Sequence, residues 1–260
     1  MDITWIFIIF TLGILGSFIS GMVGIGGSII NYPMLLFVPP ALGLVAFTAQ
    51  EVTAISAVQV FFASLMGMLV YRKGGFIHGK LVAYMGIPIT IGSFIGSSVS
   101  TMLTSATINS VYAVLALIAA MMMFMPKKGA EDTPDKTQII FNKPLAITLA
   151  LLIGLVSGIV GAAGAFITVP VMLVVLRIPT RVAIASSLAI TFLASIGSTT
   201  GKLFGGHMLL IPSLVLIVAS TMASPLGARL SKRVNIKMLQ GILSILISAT
   251  VVKIWLSILA

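Results

Sequence analysis

Residues 20–33 read SGMVGIGGSIINYP and residues 157–170 read SGIVGAAGAFITVP, one motif written twice, 137 residues apart. Seven of the fourteen positions are identical: Ser20/Ser157, Gly21/Gly158, Val23/Val160, Gly24/Gly161, Gly27/Gly164, Ile30/Ile167 and Pro33/Pro170. Gly26 adds a further glycine to the first copy. Glycine permits positive φ and close backbone approach. Within a membrane, a broken helix is tolerated only where protein or a watery cavity satisfies its backbone. A short helix starting near Ser28, and a second near Ala165, would aim free N–H groups into such a cavity. Helix N-termini attract anions through those donors and the helix dipole. Two such ends facing each other at the membrane centre would cradle one small oxyanion. The competing reading is packing alone, because small residues at regular spacing let membrane helices approach closely.

Neutral donors accompany the motif. Asn31 aligns with Thr168, directly after the glycines. Gln50, Glu51, Thr53, Ser56 and Gln59 lie near or within the next apolar run, and the 137-residue offset sets Ser186 and Ser187 opposite Ala49 and Gln50. Hydroxyl and amide groups suit an oxyanion without the desolvation cost of a full charge. Glu51 is the one acid in an apolar stretch away from the termini and the central link. It reads either as a proton relay or as an interfacial residue at a helix start. The chain has no cysteine, and His78 and His207 stand in separate loops, so no metal site or cofactor is expected. Paired carboxylates and a Walker sequence are also missing, which argues against an enzyme and against ATP as the energy source.

The elements that carry these residues are membrane helices. Of the 260 residues, 59% are hydrophobic and 8% charged, with mean hydropathy +1.22. A soluble domain carries about 25% charged residues, so lipid must be the solvent. The net charge of +10 sits in short loops between apolar runs, which is an orientation signal and not a nucleic-acid face. Residues 4–20 read as retained structure, because no basic residue precedes them. Spanning runs fall at about 47–71, 81–100, 106–125, 182–203, 208–228 and 236–258. Two segments, 4–38 and 144–176, are too long for one span, since a continuous helix of that length would reach roughly 50 Å. Each holds a glycine motif at its middle, so each must break or turn back.

The expected fold is an all-α polytopic membrane protein with two homologous repeats, 1–125 and 144–260, joined by a hydrophilic link at 126–143. If all eight segments simply cross, Lys and Arg divide nine against six between the two faces. If 4–38 and 144–176 leave on the face they entered, the division becomes thirteen against two, with only Lys202 and Lys253 on the poor side. The positive-inside rule prefers the second arrangement. Each half then has three spans plus one glycine-broken or re-entrant element, and the second half is inverted relative to the first.

The motifs SG-x-VG-x-GG…P at 20–33 and 157–170, the duplicated halves, the hydrophilic middle and the segment AIASSLAI at 183–190 resemble the TauE/SafE-type sulfite and organosulfonate permeases. The chain departs from that pattern at Ala49-Gln50-Glu51, and at Ala163-Gly164, where the double glycine is missing. The resemblance implies a secondary carrier of a small sulfur-containing anion, such as sulfite, thiosulfate or a sulfonate, in a prokaryotic cytoplasmic membrane. The residues expected to hold the anion are Gly24, Gly26, Gly27, Ser28, Gly161, Gly164 and Ala165, with Asn31, Gln50, Thr168, Ser186 and Ser187 adding hydrogen bonds and Glu51 carrying a coupling proton. An anion channel and a non-transporting membrane subunit remain alternatives.

Overall fold

The computed structural model describes residues 3–24, 28–72, 74–124, 139, 141–231 and 233–235, and beyond them Met238, Gly241, Ile245, Ser248 and Val252. Gly26, Gly27, most of the central link and most of the 236–258 run lie outside the described residues, and of Ser28 only the backbone is described. Among the described residues there are nine α-helices and no strand. They are α1 (Ile3–Val23), α2 (Ser28–Ala41), α3 (Ala49–Arg72), α4 (Gly79–Ser100), α5 (Ser105–Phe124), α6 (Lys143–Ile159), α7 (Ala165–Val174), α8 (Thr180–Leu203) and α9 (Leu210–Ser231). Six of these are long and apolar enough to cross a membrane. The protein is a multi-pass helical membrane protein.

Both over-long segments fold as helical hairpins. α1 runs 21 residues without a charge, about 31 Å, enough to cross the hydrocarbon alone. Gly24 then turns with φ 79°. α2 begins at Ser28 and returns antiparallel, so that Asn31 lies against Gly16 and the Trp5 and Phe47 rings meet at 5.8 Å. α6 and α7 repeat this shape around a tighter turn. Gly161, Ala163 and Gly164 are all left-handed, at φ 73°, 49° and 73°, and Gly164 returns against Ile153. Ala163 carries the strained φ at the position where the first motif has Gly26.

The helices pack through small residues. α1 lies parallel to α9, with Gly13 on Leu216 and Ala219 and Gly21 on Ser224 and Ala228. α6 lies parallel to α4, with Gly154 on Ile89 and Gly158 on Ser93. α8 lies parallel to α4 through Gly197 on Thr90 and Gly201 on Ser97. Apart from Gly13, which faces the Leu216 side chain, each of these contacts brings backbone onto backbone or a short side chain, which a Cβ would prevent. α3 and α8 cross the interior antiparallel, because Lys202 reaches Thr53 while Leu188 packs by Gly67. Gly21 and Gly158 therefore serve packing, as the competing reading of the motif holds, whereas Gly24 and Gly161 make the turns.

One end of the bundle gathers the described basic residues. Tyr71 donates to Ser231 at 2.6 Å, the His78 N–H to Ser186 at 3.0 Å, and Arg181 to the Val234 carbonyl at 3.5 Å. The Lys143 ammonium lies 5.4 Å from the Tyr84 ring centre. These contacts bring the α3–α4 and α7–α8 connections, the start of α6 and the end of α9 to a common level, with Arg72, Lys80, Lys143, Arg177, Arg181, Arg229 and Arg233. Lys202 is at the other end.

Candidate functional site at the helix breaks

The two breaks do not meet. Gly24 packs against Ile184, near the start of α8, while Gly161 packs against Thr53, near the start of α3. Thr53 is bonded to Lys202, and Ile184 and Lys202 are 18 residues apart on α8, about 27 Å of helix. The expectation of one anion cradled between facing breaks at the centre is therefore corrected. The motif stands at the middle of each long segment, but α1 already crosses the membrane before it. The middle of the segment becomes the tip of a hairpin, one at each end of the α3/α8 pair.

At the first break the α8 hydroxyls of Ser186 and Ser187 are engaged, while Ser20 Oγ is buried without a partner. Ser187 Oγ donates to the carbonyls of Gly24 and Ile184, both at 2.8 Å. Ser186 Oγ accepts from His78. The His78 imidazole caps α4, its Nδ1 accepting from the Leu81 N–H at 3.2 Å. Burial, and then the charge of Lys80, hold that imidazole below the ordinary histidine value. Packing also changes the register of the repeat. Gly24 and Gly161 seat on Ile184 and Thr53, residues 131 apart, so Ser187 is level with Ser56 and not with Gln50. The cause is the longer first return, 14 residues in α2 against 10 in α7, followed by a link of seven residues (42–48) against five (175–179).

The second break differs in charge. Lys202, in the last turn of α8, is only 4% exposed. Its ammonium donates to Thr53 Oγ1 at 2.7 Å, Ser100 Oγ at 2.5 Å and the Ile159 carbonyl at 3.1 Å. All three acceptors are neutral. Glu51, the one described acid, accepts from the N–H and hydroxyl of Thr48 at 2.8 and 3.0 Å, capping its own helix. Three further hydroxyls near this end, Ser56, Ser93 and Ser198, are buried and have no hydrogen-bond partner.

The other expected site residues scatter. Gln50 ties down the start of α5, donating to the Leu103 carbonyl at 2.9 Å and accepting from Ser105 at 2.7 Å. The Thr168 hydroxyl donates to the Gly164 carbonyl at 2.7 Å, within its own helix turn. Ala165 opens α7 and is buried. Asn31 is 2% exposed and its Oδ1 has no partner. Sequence reasoning missed Lys202, which reads as a loop cation on the poor side of the charge tally. The available signal was its position one residue before the end of an apolar run, ahead of Leu203 and Phe204.

A family model described as sulfite exporter TauE/SafE matches residues 9–254. The chain is similar to the probable membrane transporter protein YunE of Bacillus subtilis, at 23% identity over 92% of this chain and 93% of that one. It is likewise similar to probable membrane transporter proteins of Xylella fastidiosa, at 26% identity over 86% and 83% of the two chains, and of Methanocaldococcus jannaschii, at 25% over 90% and 88%. No solved structure matches.

Proposed function

The chain belongs to the sulfite exporter TauE/SafE family, and from that premise we propose that it is a secondary carrier of a small sulfur-containing anion, working by alternating access. It is a membrane transporter; the proposal concerns its cargo and cycle. The observation that carries it is the seating of the hairpin tips. Each end of the α3/α8 pair is closed by one glycine tip pressed onto a helix start, Gly24 on Ile184 and Gly161 on Thr53. Rocking one half against the other would lift one tip at a time, which is how a carrier alternates. The reading treats 1–125 and 144–260 as inverted halves, and places the basic end in the cytoplasm. At the second tip the N–H groups of Gly161, Ala162 and Ala165 donate to backbone carbonyls, so those of Ala163 and Gly164 are the donors it offers the passing anion.

The full chain in liposomes tests this. Uptake of labelled sulfite, thiosulfate or sulfoacetate should saturate and should be accelerated by the same anion inside. Unsaturable current would make the protein a channel, and no flux of any of the three would reject the cargo. Proton coupling through Glu51 is separable: Glu51→Gln should abolish uptake driven by a pH gradient while sparing exchange. Undiminished proton-driven uptake would leave Glu51 only the capping role its bonds to Thr48 describe.

A further inference from the structure

We propose that the second break is a built oxyanion site, with Lys202 as its charged anchor and the hydroxyls of Ser56, Ser198 and Ser93 as its free donors. The inference rests on the carrier reading for its ligand class, a small anion bearing a sulfite- or sulfonate-type head. A buried ammonium in a membrane bundle is retained only when something offsets its charge. Here its three acceptors are two hydroxyls and a carbonyl. They satisfy its hydrogens and supply no negative charge. The Thr53 and Ser100 hydroxyls are already donating to the carbonyls of Gln50 and Ser97, so neither turns a proton toward a ligand.

The free donors lie one turn deeper. α3 and α8 are antiparallel, so Ser56, one turn beyond Thr53, and Ser198, one turn before Lys202, stand at the same depth. Both are at most 1% exposed and both Oγ atoms lack a partner. Ser93 joins them from α4. Its backbone seats Gly158 of the same motif, and its Oγ is also buried without a partner. A buried hydroxyl with no partner leaves a donor unused; Ser20, Thr191 and Thr199 are others in this chain, and among the described residues only at the second break do such hydroxyls lie near a buried cation. Three such donors from three helices, one to two turns deeper than a cation with no acidic partner among the described residues, supply what a small oxyanion requires: a counter-charge and several O–H groups for its oxygens. The site is at the end away from the basic loops, which is the outward end by the positive-inside rule.

The test uses the full chain in detergent and in liposomes, with potassium sulfite and potassium sulfoacetate as probes, against potassium gluconate at equal ionic strength. Either probe should raise the melting temperature of the unaltered protein, because a ligand of the folded state stabilises it. Lys202→Met should weaken that response by about 30-fold or more in half-saturating concentration, and Lys202→Arg should recover part of it. Ser56→Ala removes a hydroxyl with no protein partner. It should leave the ligand-free melting temperature unchanged and weaken the response about 3- to 10-fold. A response that survives unchanged in both Lys202→Met and Ser56→Ala overturns the site, as does no response to either probe in the unaltered protein. A Lys202-dependent response without flux upholds the site and rejects the carrier reading instead.

Discussion

Tyr71 and Lys202 occupy matching places at opposite ends of the α3/α8 pair. Tyr71 donates to Ser231 and Lys202 to Ser100, partners that are again 131 residues apart. The Tyr71 end is the basic one, with Arg72 and Arg181, and two of its buried hydroxyls are engaged, Ser187 bonded to Gly24 and Ile184 and Ser224 to Ala63. Around Lys202 the residues at the same offset, Ser56 and Ser93, have no partner. Gly67, at the first end, takes the place that Ser198 holds at the second. One backbone plan thus gives two unlike ends. The glycine turns and their seats are shared, and the side chains around them decide whether an end is sealed or poised to receive an anion. Each unpaired buried hydroxyl costs about 1–3 kcal/mol, so Ser56, Ser93 and Ser198 at the second end hold more unused interaction energy than Ser20 at the first.

The largest effect should come from what the ends share. Gly161→Ala and Gly24→Ala each force a left-handed alanine and drive a Cβ into the backbone of Thr53 or Ile184. Each should lower stability by about 3 kcal/mol, from strain plus overpacking, read as loss of melting temperature in detergent. A large difference between the two would break the claim that the seats are equivalent. A smaller effect should separate the ends. Ser187→Ala removes the donor to Gly24 and should cost about 1 kcal/mol, whereas Ser56→Ala should cost none. Equal losses in the same melting assay would show that Ser56 has an acceptor and that the second end is sealed too.

Relief of strain at the second tip should be smaller still. Ala163→Gly removes the left-handed alanine at φ 49°. It should stabilise by about 0.5 kcal/mol, the gain in the folded state being partly offset by a freer unfolded chain. The smallest effect concerns the sealed end and pH. His78 caps α4 as the neutral imidazole, and burial and Lys80 hold its folded value below the ordinary one. A depressed histidine value means that the unfolded chain takes up the proton first. Stability from this group is therefore whole above about pH 6.5 and falls as the pH drops from there toward the folded value. His78→Asn should keep the cap and flatten that part of the melting profile.

Much of the fold is legible because apolar run length is a local property. The runs expected at 47–71, 81–100, 106–125, 182–203 and 208–228 match α3, α4, α5, α8 and α9 to within three residues at either end. The proposed starts at Ser28 and Ala165 are the first residues of α2 and α7. The charge tally predicted correctly that both long segments return to the end they entered, since loop cations report which end each connection occupies. The same tally misread Lys202, because a count of charges does not distinguish a loop cation from one in the last turn of a helix folded inward.

By itself the sequence determined that this chain lives in lipid, that its 4–38 and 144–176 segments break at the glycines, and that it resembles the TauE/SafE family to which it belongs. Composition, run length and motif are each readable one stretch at a time. Only the tertiary structure decided where the breaks go. A helix of 21 residues spends the whole membrane thickness before Gly24, so the motifs that look central in their segments end near opposite faces. It also decided which polar residues keep company. Burial and hydrogen bonding depend on which helices face one another, and the antiparallel crossing of α3 and α8 brings Lys202 to Thr53 across 149 residues of chain.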